Sequence, residues 1–160
     1  MSAEQDLTMR RAGRADLEEI VRLLAEDQLG ATRERAVSPL PEEYVRAFEG
    51  IDADPNNELV VACQGGAAGR VVGCLQLTFI PYLTYAGSWR ALVEGVRVDA
   101  SVRSRGYGEA MMRWAVQRAG ERGCRMVQLT SNKARKDAIR FYERLGFKAS
   151  HEGLKLDLGA

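Results

Sequence analysis

The sequence predicts an α/β fold: a mixed, mostly antiparallel sheet of about six to seven strands flanked by about four helices, in one domain covering residues 1–160. Three observations lead there. A chain of 160 residues with 46% apolar and 28% charged side chains has the size and composition of one globular domain with a real core. β-type runs in the first half are separated by short turn-rich segments, as in hairpins. In the second half such runs alternate with segments of helical period, which places helices on the faces of a mixed sheet.

Taken in order, residues 8–12 form a short first strand. Asp16 and Glu19 have the spacing of a capping box, and Leu17, Ile20, Val21 and Leu24 then recur at i, i+3, i+4 and i+7 until Gly30, which predicts a helix. A second helix starts at Pro41 with Tyr44, Val45 and Phe48 on one face. The turn-dense residues 52–57 lead into a strand over 59–63, and Gly65, Gly66 and Gly69 mark a hairpin to a strand over 71–80, interrupted by Pro81. An aromatic loop over 82–89 precedes a strand over 91–98. A long helix follows, with Ala110, Met111, Trp114, Ala115 and Arg118 at helical spacing and Gly123 at its end. Residues 126–130 read as a strand, 137–145 as a helix ended by Gly146, and Phe147 and 154–158 as the last β-type runs.

Composition excludes several classes of function. No apolar run approaches the ~18 residues of a membrane span, and residues 1–6 are polar and acidic rather than a signal peptide, so a soluble, cytoplasmic protein without membrane contact is expected. Cys63, Cys74 and Cys124 are isolated, with no C-x-x-C, which favours buried thiols in a reducing compartment over a disulfide or a zinc site; no metal is expected. His151 is the only histidine, so any Ser-His-Asp or Cys-His mechanism would depend on it. The net charge of +1 hides a partition: residues 1–89 hold 8 Lys and Arg against 14 Asp and Glu, and residues 90–144 hold 13 against 6. A nucleic-acid binder is usually basic overall, and none is expected as a partner. The split reads instead as a stretch for an anionic ligand beside an acidic one, or as uneven solvated charge.

The segment from Val96 to Met112, V-R-V-D-A-S-V-R-S-R-G-Y-G-E-A-M-M, carries the chemistry: a strand, a basic loop with two glycines, then a helix. Backbone N–H groups at such a loop and the positive end of the helix dipole suit phosphate groups. A side chain at Gly106 or Gly108 would keep a pyrophosphate from the backbone, and Arg103 and Arg105 add charge. A Walker A string is absent, and the dinucleotide fingerprint fails because Met111 stands where its third small residue belongs.

What remains is R-x-x-G-x-G from Arg103 to Gly108, followed one strand later by A-I-R-F-Y-E-R-L-G-F from Ala138 to Phe147. In these two blocks the chain resembles the GCN5-related N-acetyltransferase family, from about Val71 to the C-terminus. The resemblance implies the fold of that family, acetyl-CoA as cosubstrate and transfer of an acetyl group to a primary amine by direct attack. Main-chain groups of Val96 and Val98 would hold the pantetheine arm, with the Val98 N–H polarising the thioester carbonyl. Amides from Arg103 through Ser104, Arg105, Gly106, Tyr107 and Gly108 to Glu109 would bind the pyrophosphate. Asn132 aligns with a coenzyme-contacting Asn, but a second Asn common in the family is Arg135 here; Arg135 or Lys136 would reach a phosphate instead. Ala138 opens the second block on the coenzyme side.

Tyr142 matches the family's general acid, which protonates the departing thiolate; the other reading of it is a core aromatic beside Phe141 and Phe147. An alkylamine of pKa near 10.4 is only about one part in a thousand neutral at pH 7, a cost of roughly 4.6 kcal/mol, so a base is needed. Glu94, read as sharing strand parity with Val96 and Val98, is the leading base, or else an ion-pair partner of Arg90 or Arg97. Tyr82, Tyr85 and Trp89 line an acceptor mouth, a dimer contact or the core. The acidic first half favours a small cationic amine as acceptor, with protein N-termini and lysines as the alternative; a non-catalytic acyl-CoA-binding or regulatory domain is the other class. The family also implies a homodimer.

Overall fold

Apolar periodicity governs which residues of the chain pair and pack, and the computed structural model, which describes residues 2–159, gives the elements in order as follows. They are α1 (Ala3–Asp6), β1 (Leu7–Arg11), α2 (Leu17–Ala25), α3 (Gln28–Ala31), α4 (Glu42–Ala53), β2 (Asn57–Gln64), β3 (Arg70–Pro81), α5 (Thr84–Gly87), β4 (Trp89–Val98), α6 (Tyr107–Glu121), β5 (Cys124–Leu129) and α7 (Lys136–Arg144). The sheet runs β1-β2-β3-β4-β5; every neighbouring pair is antiparallel except β4 and β5, which are parallel. Four helices exceed one turn, and α1, α3 and α5 are single turns.

Both faces of the middle strands are covered. On one face Met111, Met112, Ala115 and Ala119 of α6 pack on Val60, Ala62, Leu75, Leu77, Phe79, Ala91 and Val93. On the other, Ile20 and Leu23 of α2 pack on Val61, Cys63 and Cys74. Each fully buried Leu, Val or Met there contributes roughly 1.5–3 kcal/mol. Gly73 lets α6 come this close, because a Cβ at that position would lie 2.7 Å from the Met111 sulfur and 2.9 Å from the Arg97 carbonyl oxygen. Glu58 on β2 is buried and accepts hydrogen bonds from Arg118 (2.6 and 3.0 Å) and Arg122 (3.4 Å), so Arg118 belongs to the inward face of α6 as an ion-pair donor.

The structure corrects the expectation in four places. The sheet has five strands among the described residues, not six or seven: Phe147 and residues 154–158 join no ladder, and Leu154, Leu156 and Leu158 are 94%, 85% and 89% exposed. Alternation supplies a face, but a strand also needs a neighbour for its N–H and C=O groups. Asp16 forms no capping box with α2; its carboxylate accepts from Arg10 at 2.7 and 2.9 Å and from the Gly13 amide at 2.7 Å. The helix expected to run to Gly30 ends at Ala25, and Asp27 starts the separate turn α3 by accepting from the Gly30 amide at 2.6 Å. Finally, a bulge interrupts β4, where the register to β3 shifts between Cys74 and Gln76 and Gly95 takes φ 59°. Ala91, Val93, Val96 and Val98 therefore all pack toward the α6 side, and Glu94 lies on the opposite face instead of sharing parity with Val96 and Val98.

Candidate active site

Strands β4 and β5 pair only as far as Val93 and Leu129, so β4 has no β5 partner from Glu94 onward. The Asp99 amide donates to Val72 O at 2.8 Å, and Val98 stands opposite Gly73. By the alternation of an antiparallel ladder, the N–H and C=O of Val98 then point away from β3, into the gap. Side chains occupy the carbonyls there: Arg97 donates to Val96 O at 2.9 Å and Arg103 to Val98 O at 3.3 Å. The gap thus presents the Val98 N–H on one wall, beside two strand carbonyls that arginines hold.

The loop at the end of β4 is fixed by Asp99. Its buried carboxylate accepts from the Ser101 hydroxyl (2.6 Å) and amide (2.8 Å), from Arg22 (2.5 Å) and from Arg70 (3.0 Å). These partners, the Ser101 hydroxyl first, hold it far below the usual carboxylate range. Past this anchor Ser104 and Gly106 have φ of 64° and 81°, and Gly106 caps α6. The first amides of α6, Tyr107, Gly108 and Glu109, have no intrahelical acceptor and carry the positive end of the dipole. A Cβ on Gly108 would sit 3.4 Å from Phe141 Cζ and 3.7 Å from Val98 Cγ2, so this glycine also seats the helix start against α7 and β4.

Several expected residues take on a second task here. The Tyr107 side chain is turned inward, its hydroxyl donating to Asp6 and accepting from Gln64, so only its main chain faces the loop. Arg103 is exposed and also pairs with Glu26 at 3.1 Å; Glu109 pairs with Arg113 at 2.6 Å. Ser104 and Arg105 are exposed. Asn132 uses its carboxamide oxygen on its own loop, accepting from the Ala134 amide at 2.9 Å, and Ala138 is half-buried in the first turn of α7. Glu94 is exposed and has no ion pair with Arg90 or Arg97 among the described residues.

Tyr142 is half-buried on α7, edge-on to Phe141 at 5.2 Å and to Phe147 at 5.9 Å, and packed against the main core. Burial raises its pKa, and the charges of Arg97 and Arg135 oppose that rise. Those two arginines converge on Asp27, Arg97 at 3.6 Å and Arg135 in a direct hydrogen bond, and the Arg97 Nε is buried without a hydrogen-bond partner. Three elements distant in sequence, the α2–α3 junction, β4 and the β5–α7 loop, meet in this cluster. No local pattern marks Asp27 or Arg97 as part of a site.

The remaining candidates lie elsewhere. Tyr82 and Tyr85 flank the Arg90 guanidinium at 4.2 and 5.0 Å, near the start of β4, and Trp89 packs on the core, about 17 Å along the strand from Glu94. Burial pushes the Cys74 thiol up to about 12 and raises Cys124, which leaves neither a ready thiolate. His151 is exposed. Among the described residues no cluster of His, Cys, Asp and Glu is placed to hold a metal, and no helix is long and apolar enough to cross a membrane.

The profile of the acetyltransferase (GNAT) family matches residues 17–147, and the chain belongs to that family. It is 36% identical over 90 residues to glucosamine 6-phosphate N-acetyltransferase of Trypanosoma brucei brucei, covering 56% of this chain and 59% of that one. Over 98 residues it is 33% identical to aminoalkylphosphonate N-acetyltransferase of Salmonella typhimurium, covering 61% of each. The matches thus span about three fifths of these relatives' length. A crystal structure described as a transcriptional regulator from Bacillus halodurans is 56% identical, with a TM-score of 0.90 over 95% of this chain and 99% of that one.

Proposed function

We propose that this protein is an acetyl-CoA-dependent N-acetyltransferase acting on a small primary amine by direct attack, without a covalent intermediate. The observation that carries it is the unpaired edge of β4 from Glu94 to Val98, with the α6 loop at its end and Tyr142 beside its arginine. Acetyl-CoA, the cosubstrate, supplies the activated acetyl carbonyl. The main-chain groups of Val96 and Val98 fit its pantetheine arm once Arg97 and Arg103 release the two carbonyls, and the amides from Arg103 to Glu109 fit its pyrophosphate. As the amine nitrogen bonds to the acetyl carbon and the carbon–sulfur bond breaks, the Val98 N–H stabilises charge on the carbonyl oxygen. The Tyr142 hydroxyl gives its proton to the sulfur, and solvent restores it. Burial keeps the phenol protonated until that moment. We assign removal of the amine proton to Glu94 acting through water, since Glu94 lies across β4 from Val96 and Val98.

The acceptor follows from charge. A cationic amine was expected from the acidic first half, but Glu26, Asp27 and Glu19 are taken up by Arg103, by Arg97 with Arg135, and by Arg22. Two arginines on one aspartate leave a positive surplus within coulombic reach of Tyr142. The two curated relatives are named for amines bearing a phosphate or a phosphonate. An amine that carries such a group therefore suits the site better than a polyamine.

Thiol release from acetyl-CoA across a panel of phosphorylated amines, polyamines and peptide amines tests both parts. Phosphate- or phosphonate-bearing amines are expected to give the highest kcat/KM; polyamines or peptides ahead of them would overturn the acceptor assignment. The description of the 56%-identical structure as a transcriptional regulator favours a second reading, a coenzyme-binding regulatory domain. Coenzyme binding without thiol release for every amine would decide for it.

A further inference from the structure

The two faces of the sheet differ beyond Cys74. Toward α6, Leu75, Leu77 and Phe79 of β3 and Ala91 and Val93 of β4 are buried. On the opposite face the cover given by α2 ends at Cys74: Gln76, Thr78 and Ile80 of β3 and Arg90 and Leu92 of β4 are only half-buried, and Glu94 is exposed. The ladder pairs Gln76 with Glu94, Thr78 with Leu92 and Ile80 with Arg90, so these residues form one continuous lane on one side of the sheet. Glu94 and Arg90 stand at its two ends, about 13 Å apart along β4.

Charge is distributed unevenly along this lane. Glu94 puts a negative charge at one end. At the other, neither Arg90 nor Arg125, which lies across the Tyr85 ring from it, has a carboxylate within ion-pair distance among the described residues. Arg97 and Arg135, by contrast, share Asp27. The Arg90 side chain is held in place without being neutralised: Tyr82 and Tyr85 lie 4.2 and 5.0 Å from its guanidinium, and it donates to Gln128 at 3.2 Å and to Thr84 at 3.4 Å. Tyr85 and Ala86 both take left-handed φ, 54° and 57°, at a cost in free energy, and this turn sets the Tyr85 ring against both arginines. The two hydrogen bonds are long for a guanidinium, and the Arg90 Nε is buried with no acceptor at all. A rigid fork of N–H donors that meets only two neutral oxygens has capacity left for an anion.

We propose that Arg90 is the specificity-determining residue for the acceptor: it binds a phosphate or phosphonate at the far end of an extended amine whose nitrogen lies at Glu94. This role rests on acetyl transfer to an amine being the reaction at Glu94, and it adds a place for the anion and a length for the acceptor. The lane is negative where the ammonium arrives and positive where the anion ends. It therefore selects a zwitterion of matching span, about 10 Å from nitrogen to phosphorus once the reach of the two side chains is taken from the strand length. Phosphate oxygens would take the place of the Gln128 and Thr84 oxygens in a bidentate contact. Leu92, between the two ends, gives a methylene chain or sugar ring an apolar floor.

The test is thiol release from acetyl-CoA with aminohexyl phosphate, aminoethyl phosphate and phosphate-free aminohexanol, on wild type, Arg90→Gln and Arg90→Lys. Wild type is expected to favour aminohexyl phosphate over both others at least about tenfold in kcat/KM, as a hydrogen bond to a charged group supplies. Arg90→Gln is expected to erase most of that preference through KM, with kcat for aminohexyl phosphate within about twofold of wild type. Arg90→Lys is expected to restore part of it, since the charge is kept without the fork. A preference that persists in Arg90→Gln overturns the assignment and leaves the acetyltransferase reading intact. So does a wild type that favours aminoethyl phosphate, which moves the anion to Arg97 and Arg135. Thiol release with no amine overturns both readings. Should Arg90→Gln misfold, the wild-type panel decides alone: aminohexanol turned over as well as aminohexyl phosphate removes Arg90 from the site.

Discussion

Tyr142 is a phenol with two cations within coulombic reach and no hydrogen-bond partner of its own among the described residues. A general acid contributes about 10²–10⁴-fold, so Tyr142→Phe is expected to lower kcat for acetyl transfer at least tenfold while the Kd for coenzyme stays put. Because burial lifts this phenol above its ordinary value of 10.0, wild-type kcat should hold up to about pH 10. A descending limb well below that pH, absent in Tyr142→Phe, would contradict the assignment. Asp99 acts on stability instead. Its pKa is depressed in the fold, so its contribution is present above the unfolded value near 3.8 and is lost as pH falls toward the folded one. Asp99→Asn should cost about 3 kcal/mol at neutral pH, and the gap in Tm from wild type should close as pH drops below about 4. A gap that stays constant with pH would mean that the carboxylate's charge does not hold this loop.

At the scale of elements, the contact of α6 with the sheet depends on Gly73. Gly73→Ala must push against the Met111 sulfur and the Arg97 carbonyl, and is expected to cost about 1–3 kcal/mol in urea unfolding. Gly120→Ala on the same helix meets nothing within 4 Å and should add about 0.5–1 kcal/mol. A Gly73→Ala variant as stable as wild type would show that the Met111 contact yields and does not set how closely α6 packs on β3. These elements are also where sequence reading works best. The patterns of β2, β3, β4 and α6 are legible because a face repeats along one segment, and the 103–108 loop and Tyr142 are legible because their motifs are contiguous. The side of β4 on which Glu94 lies is not, because the bulge at Gly95 is a matter of register between two strands. Nor is the meeting of Asp27, Arg97 and Arg135, which share no stretch of chain. The pattern of residues 154–158 is visible in sequence, but whether a strand forms depends on a neighbour that sequence periodicity does not supply.

Across the whole molecule, the partition between an acidic first half and a basic second half is partly consumed by the fold. Glu58 faces Arg118 and Arg122, Asp27 faces Arg97 and Arg135, Glu26 faces Arg103, and in the other direction Asp99 takes Arg22 and Arg70. Arg97, Arg103, Arg118, Arg122 and Arg135 of the second half therefore serve as cross-links between the halves. Glu58 tests this most directly, since its side chain is 4% exposed and two guanidinium groups depend on it. Glu58→Gln removes the charge and leaves both cations against the core, a loss of about 3 kcal/mol in urea unfolding. Screening is weak where water is excluded, so molar sodium chloride should leave most of that loss in place. Glu43→Gln removes an exposed pair with Arg35, both side chains more than half exposed, and should cost under about 1 kcal/mol, a difference that salt erases. If salt erased the Glu58 effect as well, the two halves would be joined by apolar packing alone, and the charge partition would be left available for a ligand.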